Sequence, residues 1–214
     1  QYYTGSSFFL VLVNDKDAGA LNNNSRFRNV RIFEDTPGGG SCTVDDDFEG
    51  GAAGWSTSGT CSTGTFVLGT PSQQTNSGVT TQVGGAASGS NALFTATNTS
   101  AGNADVDGGE CVVTSPSFSV SAASDLDINY FHGQRDAGDD ANDYFVLEYS
   151  TNGGSSYSSI VSIGDVQNNA AWTAAPTTSI PAGSNVIVRV RVSDGAGPGD
   201  LVEGGIDDLA ICDQ

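Results

Sequence analysis

Apolar residues along this chain come in short runs that either stand alone or alternate with polar ones. They do not recur at the three-to-four-residue spacing of an amphipathic helix. Segments such as "TFVLGT", "NALFTAT", "ECVVTS", "SFSVSA", "LDINYFHG", "DYFVLEYST", "SSIVSIG" and "GIDDLAIC" are rich in β-branched and aromatic residues and are bounded by glycine, serine or asparagine, the signature of strands. "VIVRVRV" alternates strictly over seven residues, which predicts a half-buried antiparallel strand with Arg189 and Arg191 on one face and valines on the other. Between two of these runs, "STNGGSSY" offers the consecutive glycines that a hairpin turn needs. Helix evidence is nearly nil, so the fold class predicted is all-β.

One pattern occurs twice. "FFLVLVNDKDAGALNNNSRFRNVRIF" near the start overlays "IVRVRVSDGAGPGDLVEGGIDDLAIC" near the end without a gap, at an offset of 179 positions. Val13-Asn14-Asp15 falls on Val192-Ser193-Asp194, and Arg28-Asn29 falls on Asp207-Asp208. Such self-similarity points to modular construction. Residues 1–36 read as a β-hairpin resembling the last two strands of a similar module. Residues 37–44, with Pro37 and three glycines, read as a linker, and residues 45–214 as an antiparallel jelly-roll β-sandwich. An isolated hairpin is marginal in water. Phe8, Phe9, Leu10 and Val11 are therefore expected to bury against a preceding module or to add a strand to a neighbouring subunit's sheet.

Composition narrows the partners. Seven Lys and Arg stand against 25 Asp and Glu, a net charge of −18, which repels nucleic acid and anionic membrane and suits divalent cations and salty surroundings. The longest apolar stretch, "FFLVLV", is of strand length, so no membrane insertion is expected. With no initiator methionine, the chain reads as a piece of a longer secreted or cell-surface product, bacterial and salt-adapted in character. Four dispersed cysteines without a C-x-x-C pair fit disulfides in an oxidising compartment better than zinc. Of three pairings, Cys42–Cys212 with Cys61–Cys111 is favoured, because the first would staple the two ends of one sandwich.

Three patches concentrate carboxylates: "VDDDFEGGAAGW", "GQRDAGDDANDYF" and "EGGIDDLAIC". Calcium takes about six to eight oxygens from converging loops. If the two ends of the sandwich are adjacent, Asp47, Glu49, Asp207 and Asp208 meet, and a structural Ca2+ would knit the first strand to the last. Asp136, Asp139, Asp140 and Asp143 form a second candidate cluster without the spacing of an EF-hand loop, and "DVDGGE" (Asp105, Asp107, Glu110) a weaker third. His132 is the only histidine and no G-x-S-x-G elbow exists, so nucleophilic catalysis is not expected. Trp172 is a candidate for stacking on a sugar ring, whereas Trp55, after a glycine run, is expected to pack beneath it.

In order along the chain, "DDDFEGGAAGWSTSG", "VDGGECVVTSPSFSVSAASDLDINYFHG", "NDYFVLEYSTNGGSSY", "NNAAWT" and "VIVRVRVSDGAGPGDLVEGGIDDLAI" resemble a jelly-roll domain, MAM-like in pattern, of bacterial secreted peptidases and glycosidases. They are similar also to carbohydrate-binding modules that open on F-E…G-W and close on D-D before a final strand. The resemblance covers about residues 45–212 and implies a non-catalytic sandwich with calcium near the first and last strands, the matching positions being Asp47, Glu49 and Asp208. The chain departs from that pattern where a tryptophan after "NGGSSY" and one near "FHG" are absent, which weakens the case for a sugar platform. The function expected is that of a calcium-stabilised binding or structural module, such as an adhesin or filament repeat. The alternative is a carbohydrate-binding accessory module with a polysaccharide ligand.

Overall fold

The computed structural model describes residues 41–97, 100–135, 141–195 and 200–214; the segment 1–36, with its expected hairpin, and Asp136, Asp139 and Asp140 lie outside the described residues. The first half contributes β1 (Cys42–Asp46), β2 (Ser56–Gly59), β3 (Val67–Gly69), β4 (Gln74–Asn76), β5 (Val79–Gln82), β6 (Ala92–Phe94) and β7 (Gly109–Thr114). The second half contributes β8 (Phe118–Val120), β9 (Ser124–Arg135), β10 (Tyr144–Ser150), β11 (Ser158–Ile163), β12 (Thr173–Ala174), β13 (Thr178–Ile180), β14 (Ser184–Asp194) and β15 (Leu201–Asp213). No helix occurs among the described residues.

Two antiparallel sheets form a sandwich of jelly-roll type. One runs β12-β9-β15-β6-β3, with β1 added to β15 and β13 to β9; the other runs β11-β10-β14-β7-β2, with β8 added to β14; β4 and β5 pair separately. Their facing sides close one core. Val186, Val188, Val190 and Val192 of β14 are fully buried, while Ile187, Arg189 and Arg191 lie on the other face, as the alternation requires. Leu126 and Ile128 of β9 and Ile206, Leu209 and Ile211 of β15 meet them. β9 is covered on its other face as well: Phe131 points away from the main core and, with Val83 and Phe94, makes a smaller cluster. In "EGGID" two glycines let aromatic rings lie flat on β15. A Cβ on Gly204 would come within 2.7 Å of the Phe145 ring, and one on Gly205 within 2.4 Å of Phe131.

The hairpin turn at Asn152-Gly153-Gly154 joins β10 to β11, with both glycines at positive φ. Two features differ from the local pattern. β1 begins at Cys42, inside the stretch read as linker, because residues 42–46 are held by ladder bonds to β15, a partner far along the chain that no window of sequence contains. The C-terminal copy of the repeat is not a hairpin: β14 and β15 belong to opposite sheets. Edge strands such as β2, exposed along its whole length, carry no apolar signal to read.

Both disulfides form in the favoured pairing, Cys42–Cys212 and Cys61–Cys111. The first joins residues directly opposite in the β1–β15 ladder, the second ties the segment after β2 to β7. His132 is buried on the core side of β9, its ring 5.8 Å from Phe145 and its Nε2 without a hydrogen-bond partner. Burial lowers its pKa to about 4.

Two outcomes follow. Replacing Cys42 and Cys212 together by serine opens a 170-residue span and should lower the free energy of unfolding by about 4–5 kcal/mol; the Cys61/Cys111 pair, 50 residues apart, should cost about 1 kcal/mol less. Denaturant midpoints of the two double variants measure this. For His132 the unfolded chain binds the extra proton between about pH 6.5 and 4, so its contribution to stability is complete above that window and lost as pH falls through it. The loss is about 3 kcal/mol. His132→Gln should flatten that part of the stability–pH curve relative to the parent; parallel curves would refute the assignment.

Candidate functional site

β15 changes partners along one of its edges. Gly205 and Ile206 pair with Phe94 and Leu93 of β6, and Leu209 to Cys212 pair with β1. On its other edge the ladder to β9 slips between Asp207 and Ala210, and Asp208 has φ 52°. Asp207 and Asp208 therefore sit in a bulge at the gap between two neighbouring strands, a place where backbone groups lack ladder partners and a side chain can be re-aimed.

The two chain segments leaving that gap close over it. Past β1, Phe48 turns into the core with φ 58° and stacks edge-on to Trp55 at 5.5 Å. The two carboxylates before it hold this turn: Asp46 Oδ1 accepts from the Phe48 N–H at 2.9 Å and Asp47 Oδ1 from the Glu49 N–H at 3.2 Å. The loop before β6, "GGAASGSN", lies across the opening. Glu49 Oε1 accepts from the Ser90 and Asn91 N–H groups at 2.7 and 2.6 Å. Asp207 Oδ2 accepts from Ala87 and Ser88 N–H at 2.8 and 3.1 Å. Asp208 accepts from Ser88 Oγ at 2.5 Å and from Asn129 Nδ2 at 3.0 Å. A Cβ on Gly89, itself at positive φ, would meet the Glu49 carboxylate at 2.6 Å, so a side chain there would strain the loop and displace Glu49.

Glu49, Asp207 and Asp208 thus converge on the loop 87–91, with Asp47 on the adjoining turn. Asp207 is wholly buried, and burial, reinforced by Asp208, raises its carboxyl to about 6 against the pull of its backbone N–H donors. The donors are all oxygen, which suits a hard cation and not zinc. Among the described residues no three acidic, histidine or cysteine side chains stand close enough to hold a metal by themselves, so a cation here would draw further ligands from loop carbonyls and water.

The other sequence candidates lie elsewhere. Asp143 is buried at the start of β10, where its Oδ1 accepts from the Gly195 N–H at 2.7 Å. Glu110 is not a member of an acidic cluster: it pairs with Arg191 at 2.6 Å and accepts from Tyr144 Oη on the face of the second sheet. Trp172 is half-buried, packs edge-on against Phe131 at 5.0 Å and donates Nε1–H to the Gly85 carbonyl at 2.9 Å, so its ring is a wall of the smaller core. Residues that local reading missed include Ser88 and Asn129, which have no signal of their own, and the buried acids Asp194, Asp200 and Glu203. Asp194 did leave a trace: in "VIVRVRVSD" the inward positions 186, 188, 190 and 192 are followed by 194, an acid where the alternation places a core residue.

No protein-family model and no curated protein matches the sequence. Solved structures do match in shape. The K3 cleaved adhesin domain of Lys-gingipain from Porphyromonas gingivalis superposes with a TM-score of 0.52 at 15% identity, covering 82% of this chain and all of the other. The K1 cleaved adhesin domain of the same protein gives 0.51 at 13% identity, covering 82% and 99%. A xylan-binding domain from Paenibacillus barcinonensis reaches 0.42 at 15% identity over 81% and 94%, too low a score to bear on the argument. In fold, the chain is similar to the cleaved adhesin domains of Lys-gingipain.

Proposed function

We propose that this chain is a non-catalytic, calcium-stabilised β-sandwich module of a larger extracellular protein, with an adhesive or structural role. The observation that carries the reading is the convergence of Glu49, Asp207 and Asp208 on the loop that bridges β1 and β6. A Ca2+ held there by Glu49, Asp208 and the adjoining Asp47, together with loop carbonyls, would neutralise carboxylates gathered at the junction of first and last strands. Two disulfides support an oxidising compartment. His132 supports the non-catalytic part, being held neutral in the core and away from solvent.

The aromatic faces favour the adhesive or structural reading over a sugar platform. Trp172 is committed to Phe131, and the Arg189 guanidinium covers the Tyr157 ring at 3.6 Å. A polysaccharide ligand would have to be gripped through polar groups instead of stacking.

Calcium titrated into chelator-treated protein at about 100 times its Kd should add about 2.7 kcal/mol, a rise in Tm of roughly 5–11 °C for a domain of this size. The Glu49→Gln/Asp208→Asn variant should bind one Ca2+ fewer by calorimetry. An unchanged stoichiometry in that variant would overturn the calcium reading, and turnover of any glycan or peptide by the intact chain would overturn the non-catalytic one.

A further inference from the structure

One buried acid is bound into the strand pairing itself. Glu203 stands opposite Gly133 in the β9–β15 ladder, and the next residue, Gly204, accepts from the Thr95 N–H just past β6 at 2.9 Å. A Cβ on Gly204 would strike the Phe145 ring, and one on Gly205 the Phe131 ring on the other face. Successive residues of a strand point to opposite sides. Glu203 therefore shares the Phe131 side of β15, the side over which β5 lies. A Cβ on Gly133 would come within 2.2 Å of the Thr81 carbonyl oxygen, so glycine at that position lets the β5 backbone lie directly on β9. The result is a glutamate left only 1% exposed.

Its two oxygens fare differently. Oε1 has no hydrogen-bond partner, and Oε2 meets the hydroxyl of Thr95. Thr95 Oγ1 already accepts the Gly204 N–H at 2.9 Å and lies 3.2 Å from the Gly204 carbonyl oxygen. A hydroxyl has one proton and two lone pairs. With Glu203 ionised, that proton must go to Oε2, and the carboxylate has one donor for two oxygens. With Glu203 protonated, the acid donates to the second lone pair of Oγ1, and the threonine proton passes to the Gly204 carbonyl. The neutral acid closes a cycle through Thr95 and Gly204 in which every proton has an acceptor. A buried carboxylate with a single donor lacks that compensation.

The surrounding charges act in the same direction. Burial raises the Glu203 carboxyl well above the usual carboxylate range against the Thr95 hydrogen bond, and Asp105 and Asp194 push it further up. Among the described residues no ion pair involves Glu203. β5 carries no charged residue, His132 turns to the core side of β9, and Arg135, two residues beyond Gly133, is engaged with another group.

We propose that Glu203 is carried as a neutral acid and acts as a pH-sensitive latch between β15 and the end of β6, closed while the proton is held and loosened when it leaves. Losing the proton removes the donor to Thr95 Oγ1 and leaves a buried negative charge with Thr95 as its donor. The strand secured in this way, β6, carries the loop 87–91 at its other end. The latch does not depend on calcium at Glu49 and Asp208. Its effect on stability has a definite sign. The unfolded chain releases this proton above about pH 4.5, whereas the folded chain keeps it. Stability is therefore greatest below that pH and falls as pH rises, by about tenfold in the folding equilibrium constant per pH unit, until the folded carboxyl ionises.

Glu203→Gln, an amide of the same shape that cannot ionise, should escape this decline. In denaturant titrations of the full chain in chelator, the folding constant of the variant relative to the parent should rise about tenfold for each pH unit between about pH 5 and 7. His132 is present in both proteins and cancels in the comparison. Amide exchange should show the Gly204 and Thr95 N–H groups losing protection in the parent as the folded carboxyl ionises, and keeping it in the variant. If the variant folds poorly, the NMR shift of the Glu203 carboxyl carbon in the parent decides the matter: at neutral pH it should be that of the protonated acid. A Glu203 carboxyl that titrates in the ordinary glutamate range, or stability curves that run parallel for parent and variant, would overturn the proposal. Protection at Gly204 and Thr95 that is unmoved by ionisation would overturn the latch.

Discussion

The pairing of β15 between β9 on one edge and β6 followed by β1 on the other is the constraint from which the rest of the structure derives. It puts the last strand at the centre of its sheet, so the chain's described beginning and its end are neighbours and Cys42 lands opposite Cys212. The same pairing demands two glycines, since aromatic rings from both faces press onto the strand at Gly204 and Gly205. Because β6 and β1 are separate strands sharing one edge, a gap between them is unavoidable. Asp207, Asp208 and Glu49 are the residues that meet there.

Two sets of acids in one molecule illustrate two treatments of buried charge. At the gap, backbone N–H groups of the loop 87–91 are turned toward Asp207 and Glu49, and serine and asparagine side chains toward Asp208. Hydrogen bonds to the ionised form offset much of the desolvation. At the start of β15 Asp194 lacks such donors on one oxygen, and its neighbours repel it. Arg189 and Arg191 pair with Glu148 and Glu110 on the outer face of the second sheet.

The similarity to the Lys-gingipain adhesin domains is one of fold, and a fold by itself does not fix a function. Trp172 is turned into a small core on the outer side of β9. An aromatic residue that looked available for a ligand is instead used to cover a sheet face.

The alternation in "VIVRVRV", the turn at Gly153-Gly154 and the dispersed even cysteines determined by themselves an all-β, disulfide-bonded sandwich, because side-chain period and turn geometry are local properties of the chain. With first and last strands taken as adjacent, the acids at both ends, "DDDFE" and "IDDLA", are expected in one neighbourhood, and Glu49 and Asp208 both hydrogen-bond to the loop 87–91. What the tertiary structure alone decided was which β-runs share a sheet: β14 and β15 read as one hairpin yet lie in opposite sheets. It also decided that β1 exists within an apparent linker, that the loop 87–91 supplies the donors, and that Asp105, Asp143, Asp194 and Asp200 share an interior. Each of these depends on contacts between residues far apart in sequence, and neither strand partners nor buried neighbours are encoded in the period of any single segment.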